Sequence, residues 1–263
     1  MSRDAGLRST LVALSDTKLL LGYHYGEWTF GPPAIEAGIA ACSMAQEEFG
    51  HTRLLNGVLK REFDLEIDPL ADERPPAAFA SIAFLDHPLA DWTELVAANA
   101  VVDLALSLVL SSFEGGDFQP LSRAVPKMLL EERFHTEHAE GWVRMIDARG
   151  GAPREALGDA VGRALGDVVA FFGPPAHDAE VIASGARDAD DQTLRRRLFS
   201  RVAGLFEDPV SVGLRREGDD WALVETPEWN GWDADRRRLA GGGPDQAMLD
   251  ELRGTKNVAF KSA

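Results

Sequence analysis

AQEEFGH, residues 45–51, and its counterpart LLEERFH, residues 129–135, each set a glutamate three residues before a histidine inside an apolar, helix-patterned stretch. The pairs are Glu48 with His51 and Glu132 with His135. Three-residue spacing on an α-helix puts both side chains on one face with Cβ atoms about 6 Å apart, so a carboxylate and an imidazole can grip one ion. The same spacing also suits a histidine salt-linked to the glutamate one turn back. What distinguishes these pairs is the stretch preceding each, which offers one more acid. Asp103, in NAVVDLALSLVL, stands in an apolar run from Leu95 to Leu110 broken otherwise by Asn99 and Ser107. A buried carboxylate there costs several kcal/mol unless a cation or a hydrogen-bond donor meets it. Glu27, in HYGEWTF, closes the first helical stretch just before Gly31-Pro32-Pro33, with Glu36 as its substitute. Four helices that carry two Glu-x-x-His pairs and two further acids have the layout of a di-metal site inside a bundle.

Carboxylates with two imidazoles and no thiolate favour iron or manganese over structural zinc, and we read a pair of iron ions first and manganese second. The expected metal ligands are therefore Glu27, Glu48, His51, Asp103, Glu132 and His135, with no catalytic side chain beyond them. The free ring nitrogens of ligating histidines usually donate to outer carboxylates or carbonyls. Glu47, Glu131 and His24 lie near enough in sequence for such contacts, although solvated surface positions suit them as well. Glu137 and His138, just past the fourth-helix pair, are left outside the ligand set.

The punctuation of the chain fits an all-α, ferritin-like four-helix bundle with a long crossover, extra C-terminal helices and an irregular tail. Helical spacing runs from about Leu7 to Trp28 and, after Gly31-Pro32-Pro33, on to about Arg61. Residues 62–90 are acidic and Pro-rich, as a crossover connection would be. A third helix opens at Asp91, a natural N-cap, and runs to Ser112; a fourth spans Leu121 to Ala148 and stops at Gly150-Gly151. REALGDAVGRALGDVVAFFG (154–173) reads as one amphipathic helix, and another lies at Gln192 to Phe206. We expect a bundle over residues 1–207 and an irregular extension over 208–263, its Trp221, Trp229 and Trp232 docking on the bundle or on a partner.

At 263 residues with a formal charge of −16, the chain is long enough for one sizeable core and repels polyanions, so nucleic acid and anionic membranes are not expected partners. The arginine runs 195–197 and 236–238 read as solvated helix faces. One cysteine, Cys42, excludes an internal disulfide and suits the core of the second helix. With no leader pattern and no apolar run approaching membrane length, a cytoplasmic protein is expected.

Beyond these readings, GEW (26–28), AQEEFGHTRLL (45–55), VVDLAL (101–106) and EERFHTEHAEGW (131–142) resemble the phenylacetic acid catabolic family, the catalytic and structural α-subunits of bacterial phenylacetyl-CoA epoxidase. The resemblance covers about Leu20 to Ile146, with a fainter echo in GGGPDQAMLDELR (241–253). It implies a carboxylate-bridged di-iron centre on Glu27, Glu48, His51, Asp103, Glu132 and His135. It also implies O₂, electrons from a separate reductase, an aromatic acyl-CoA as the small-molecule substrate, and assembly as a homo-oligomer or with a paralogous subunit. Because all six positions carry ligand-type residues, we expect a catalytic-type monooxygenase subunit. The alternatives are a structural subunit of the same kind of complex and a ferroxidase-like iron protein.

Overall fold

The computed structural model describes residues 2–68, 73–239 and 241–255. Four long helices make the bundle. α1 (Arg3–Glu27) opens on Ser2, whose Oγ accepts from the Ala5 N–H, and α2 (Ile35–Phe63) follows the Gly31-Pro32-Pro33 break. The third helix, α3 (Trp92–Ser111), begins at Asp91, whose carboxylate accepts from the N–H groups of Thr93 and Glu94. α4 (Val125–Arg149) ends at Gly150, which takes φ 69°, a conformation open to glycine. Two further helices, α5 (Gly151–Phe172) and α6 (Asp191–Ala203), close one side of the bundle. The architecture is all-α apart from a two-stranded hairpin in the tail.

α3 forms the centre of the core. From Leu95 to Leu110 every residue is buried except the half-buried Ser107. The whole helix is long and apolar enough to span a membrane by composition, but 83% of its apolar window is buried inside the bundle. Its apolarity is thus used for packing. Over Ala98–Asp103 the helix widens into a π-helical stretch that ends on Asp103. Such insertions re-aim side chains and occur often at functional sites.

α1 is buried on nearly every side between Ser9 and Tyr25, because connecting segments cover the faces that other helices leave open. The crossover runs along it: Asp16 accepts from Arg74 and from the Ala80 N–H, and Thr17 Oγ1 accepts from the Ile82 N–H. The tail seals the other end, with Ser9 Oγ donating to Ala234 O at 2.7 Å. Part of the crossover, residues 69–72, and the last residues of the tail lie outside the described residues.

The tail is more ordered than its composition indicates. β1 (Leu214–Glu217) and β2 (Asp220–Leu223) pair antiparallel around a two-residue turn whose Gly218 has φ 64°. The 236–238 run, expected as a solvated face, is instead a set of anchors. Arg236 donates to Phe79 O, Arg237 to Phe171 O and Asp191, and Arg238 to Asp86. Trp232 Nε1 donates to Ala170 O. By contrast, in the 195–197 run on α6 Arg196 and Arg197 are exposed as expected, whereas Arg195 is half-buried. Cys42 departs from its expected core position: it is half-buried and lines a surface groove with Phe30, Ile35 and Ile39.

Candidate functional site

Five of the six expected ligand residues meet in the middle of the bundle, and each comes from the helix its pattern indicated. Glu48 and His51 project from α2, Asp103 from the π-helical end in α3, and Glu132 and His135 from α4; all five are buried. Glu48, Asp103, Glu132 and His135 offer ligand atoms that all lie within 4.8 Å of one another, a grouping that could hold a metal ion. His51 Nδ1 stands 3.2 Å from Glu132 Oε1, joining the second histidine to the group.

α1 supplies a different residue from the one expected. Glu27 is exposed at the end of the helix, and Glu36, its substitute, is exposed at the start of α2. What α1 sends into the cluster is Lys18. Its ammonium donates to both oxygens of Glu48 at 3.0 Å and to Glu132 Oε1 at 2.5 Å, with Asp103 Oδ1 3.7 Å away. The reason is helical geometry. Nine residues separate Lys18 from Glu27, and at about 100° per residue that puts them on opposite sides of α1. Lys18 carried less signal in the sequence than Asp103, since it follows Ser15-Asp16-Thr17 and stands at the edge of the apolar Leu19-Leu20-Leu21 run.

Outer contacts hold both histidines. His51 Nε2 lies 2.8 Å from Glu131 Oε2, and His135 Nε2 lies 2.7 Å from Glu47 Oε2. Glu47 and Glu131, for which a solvated position was equally open, are therefore engaged, whereas His24 turns away to Leu85 O. His138 is not in the ligand group and faces Asn99 Oδ1 at 3.0 Å. Two further partners were not assigned to the cluster from the sequence, although Ser107 is one of the breaks in the apolar run of α3. Tyr25, two turns beyond Lys18, donates its hydroxyl to Asp103 Oδ2 at 2.8 Å, and Ser107 donates to Glu132 Oε2 at 2.6 Å. A groove of about 530 Å³ between α2 and α4 reaches this layer from outside, lined among others by Glu47, His51 and Glu131.

The charges of the cluster balance through these contacts. Burial opposes the charge on Lys18, but Glu132, Glu48 and Asp103 outweigh it and keep the ammonium protonated far into the alkaline range. Burial likewise opposes the charge on Glu132, yet Lys18, followed by His51 and His135, holds its carboxyl well below the usual range. Asp103 is pushed up to about 7, by burial first and then by Glu132 and Glu48. His135 is pushed up to about 12: burial works against the proton, and the charge and hydrogen bond of Asp103 overcome it.

That balance bears on metal binding. The donor types and their spacing suit a cation, and two donor atoms, His51 Nδ1 and Asp103 Oδ1, have no hydrogen-bond partner. The Lys18 ammonium nevertheless stands 3.7 Å from Asp103 Oδ1, and His51 Nδ1 lies 3.2 Å from Glu132 Oε1, which that ammonium also contacts. A ligating imidazole must also be free of its proton on the metal side, whereas His135 has carboxylates at both ring nitrogens, Asp103 at 2.8 Å and Glu47 at 2.7 Å. As arranged here, the residues form a cation-centred cluster whose cation is a lysine, and they do not fit two metal ions while Lys18 stays in place.

An all-α bundle in which four helices converge on buried carboxylates and histidines defines the class: a helical-bundle protein built around a metal-type constellation. The family model described as phenylacetic acid catabolic protein matches residues 2–215, and the chain belongs to that family. A search of curated proteins finds no match.

Proposed function

We propose that this chain acts in phenylacetate catabolism as the structural, non-catalytic bundle subunit of a multicomponent oxygenase. The observation that carries the reading is the Lys18 ammonium held by Glu48 and Glu132, where a metal would otherwise neutralise those carboxylates. A bundle of this type keeps the packing and the partner surfaces of an oxygenase subunit without its metal chemistry. The oxygen-activating component is then a separate, metal-bearing paralogue, supplied with electrons by a reductase and acting on an aromatic acyl-CoA.

A second reading, a catalytic-type di-iron subunit, draws on the retention of both Glu-x-x-His pairs with their outer partners Glu47 and Glu131. It requires Lys18 to leave the cluster. The two readings separate in an oxygen-uptake assay. The purified chain, grown with ample iron and mixed with a flavin and iron–sulfur reductase, is expected to consume no oxygen on addition of phenylacetyl-CoA, while forming a stable complex with a metal-bearing paralogue. Substrate-dependent uptake by the chain with reductase alone would overturn the structural reading.

A further inference from the structure

We infer that Lys18 is a built-in substitute for a metal ion, and that exchanging this one side chain for a carboxylate turns the buried cluster into a site for a divalent transition metal. The inference rests on the metal-free reading above and extends it to the cause.

The ammonium occupies a central point. It contacts Glu48 from α2 and Glu132 from α4 through hydrogen bonds of 2.5–3.0 Å, and it stands 3.7 Å from Asp103 of α3. A metal bound by carboxylates would sit at about 2.0–2.2 Å from their oxygens, closer than an ammonium can come. One cation thus links carboxylates from three helices, as a bridging ion would. Lys18 has little route out: its side chain is 0% exposed. One turn further along α1, Gly22 is pressed against α2, where a Cβ would meet Phe49 Cε1 at 2.8 Å and Glu48 Cβ at 3.2 Å.

The rest of the donor set is already in place. Asp103 Oδ1 is buried without a hydrogen-bond partner, His51 Nδ1 stands 3.2 Å from Glu132 Oε1, and Glu48, Asp103, Glu132 and His135 present ligand atoms within 4.8 Å of one another. Carboxylate and imidazole donors of this kind suit first-row divalent ions from manganese onward. Glutamate is one atom shorter than lysine, so a carboxylate at position 18 stops short of the point the ammonium fills. The change therefore frees that point and adds an oxygen donor beside it. It also removes a positive charge from the cluster, leaving acids that call for an ion.

The test uses the full-length chain and Co²⁺, whose visible absorption reports its ligand geometry. Wild type, Lys18→Glu and Lys18→Gln are dialysed against Co²⁺ and analysed for bound metal, with far-ultraviolet circular dichroism to verify folding. Wild type is expected to retain no stoichiometric cobalt. Lys18→Glu is expected to hold one ion per chain with a ligand-field spectrum that His135→Ala in the same background abolishes. Lys18→Gln, which removes the charge without adding a donor, should bind at least about tenfold more tightly than wild type. Should Lys18→Glu fail to fold, Lys18→Gln decides alone. A metal-free wild type with no gain in the folded variants overturns this inference and leaves the structural reading standing. Stoichiometric cobalt in wild type overturns both.

Discussion

Lys18 and Asp103 illustrate how a single charged residue in an apolar helix carries information. Asp103 interrupts a run of leucines and valines, Lys18 stands at the edge of a leucine run behind Ser15-Asp16-Thr17, and each is answered by the opposite charge in the folded core. Removing one partner of such a network leaves the other buried without compensation, which costs about 3–5 kcal/mol. Lys18→Met should accordingly lower the stability measured by urea unfolding by that amount. Glu27→Ala, at an exposed helix end, should stay within about 0.5 kcal/mol of wild type in the same assay. The contrast separates the residue α1 contributes from the one its motif pointed to. Glu48, His51, Asp103, Glu132 and His135 were legible because spacing and apolar context mark them. Lys18 bore a weaker signal, at the edge of an apolar run, and a search for ligands counts acids and histidines and passes over a cation. Ser107 was visible as a break in an apolar run but its partner was not, and Tyr25 was not legible at all, since a hydroxyl that meets a carboxylate across helices has no local pattern.

At the level of elements, the helices were readable because apolar periodicity, the Asp91 cap and the Gly-Pro and Gly-Gly breaks agree with one another. α3 starts one residue after Asp91 and α4 stops at Gly150, as those signals indicate. The π-helical turn before Asp103 was not readable, because it is a register shift with no residue type of its own. The β1–β2 hairpin was missed although a Gly-Asp turn marks it; its strands are four residues each with one buried residue apiece, so they show little alternation of burial. The close approach of α1 and α2 depends on Gly22. Gly22→Ala drives a methyl into Phe49 and should destabilise by about 1–3 kcal/mol, read as a lower thermal midpoint. Because Lys18 and Glu48 meet at this contact, the same variant should also perturb the cluster more than an alanine at half-buried Gly50, where no neighbour lies within 4 Å of an added Cβ.

Across the whole molecule, the tail is fastened to the bundle by buried arginines. Asp191 at the start of α6 accepts from Arg187 at 2.6 Å and also pairs with Arg237, so this acid, though grouped with His177 and Asp178, already has its cations. Burial opposes the charge on Asp191, but Arg187 and Arg237 hold its carboxyl far below the usual range. A depressed native pKa means that the unfolded chain binds the proton first. The lock therefore contributes fully above the unfolded value of about 3.9 and weakens as pH falls below it. Asp191→Asn should remove about 3–5 kcal/mol at neutral pH and flatten the loss of stability in acid. Arg237→Ala should speed proteolytic cleavage between residues 208 and 239 while the bundle stays helical. All of this surrounds a core in which a lysine ammonium stands in for a metal. Elemental analysis of wild-type protein after anaerobic loading with ferrous iron and desalting shows whether the ammonium keeps metal out. The expected result is no stoichiometric iron, with thermal stability unchanged by chelator; two tightly held irons per chain, lost to chelator together with stability, would contradict it.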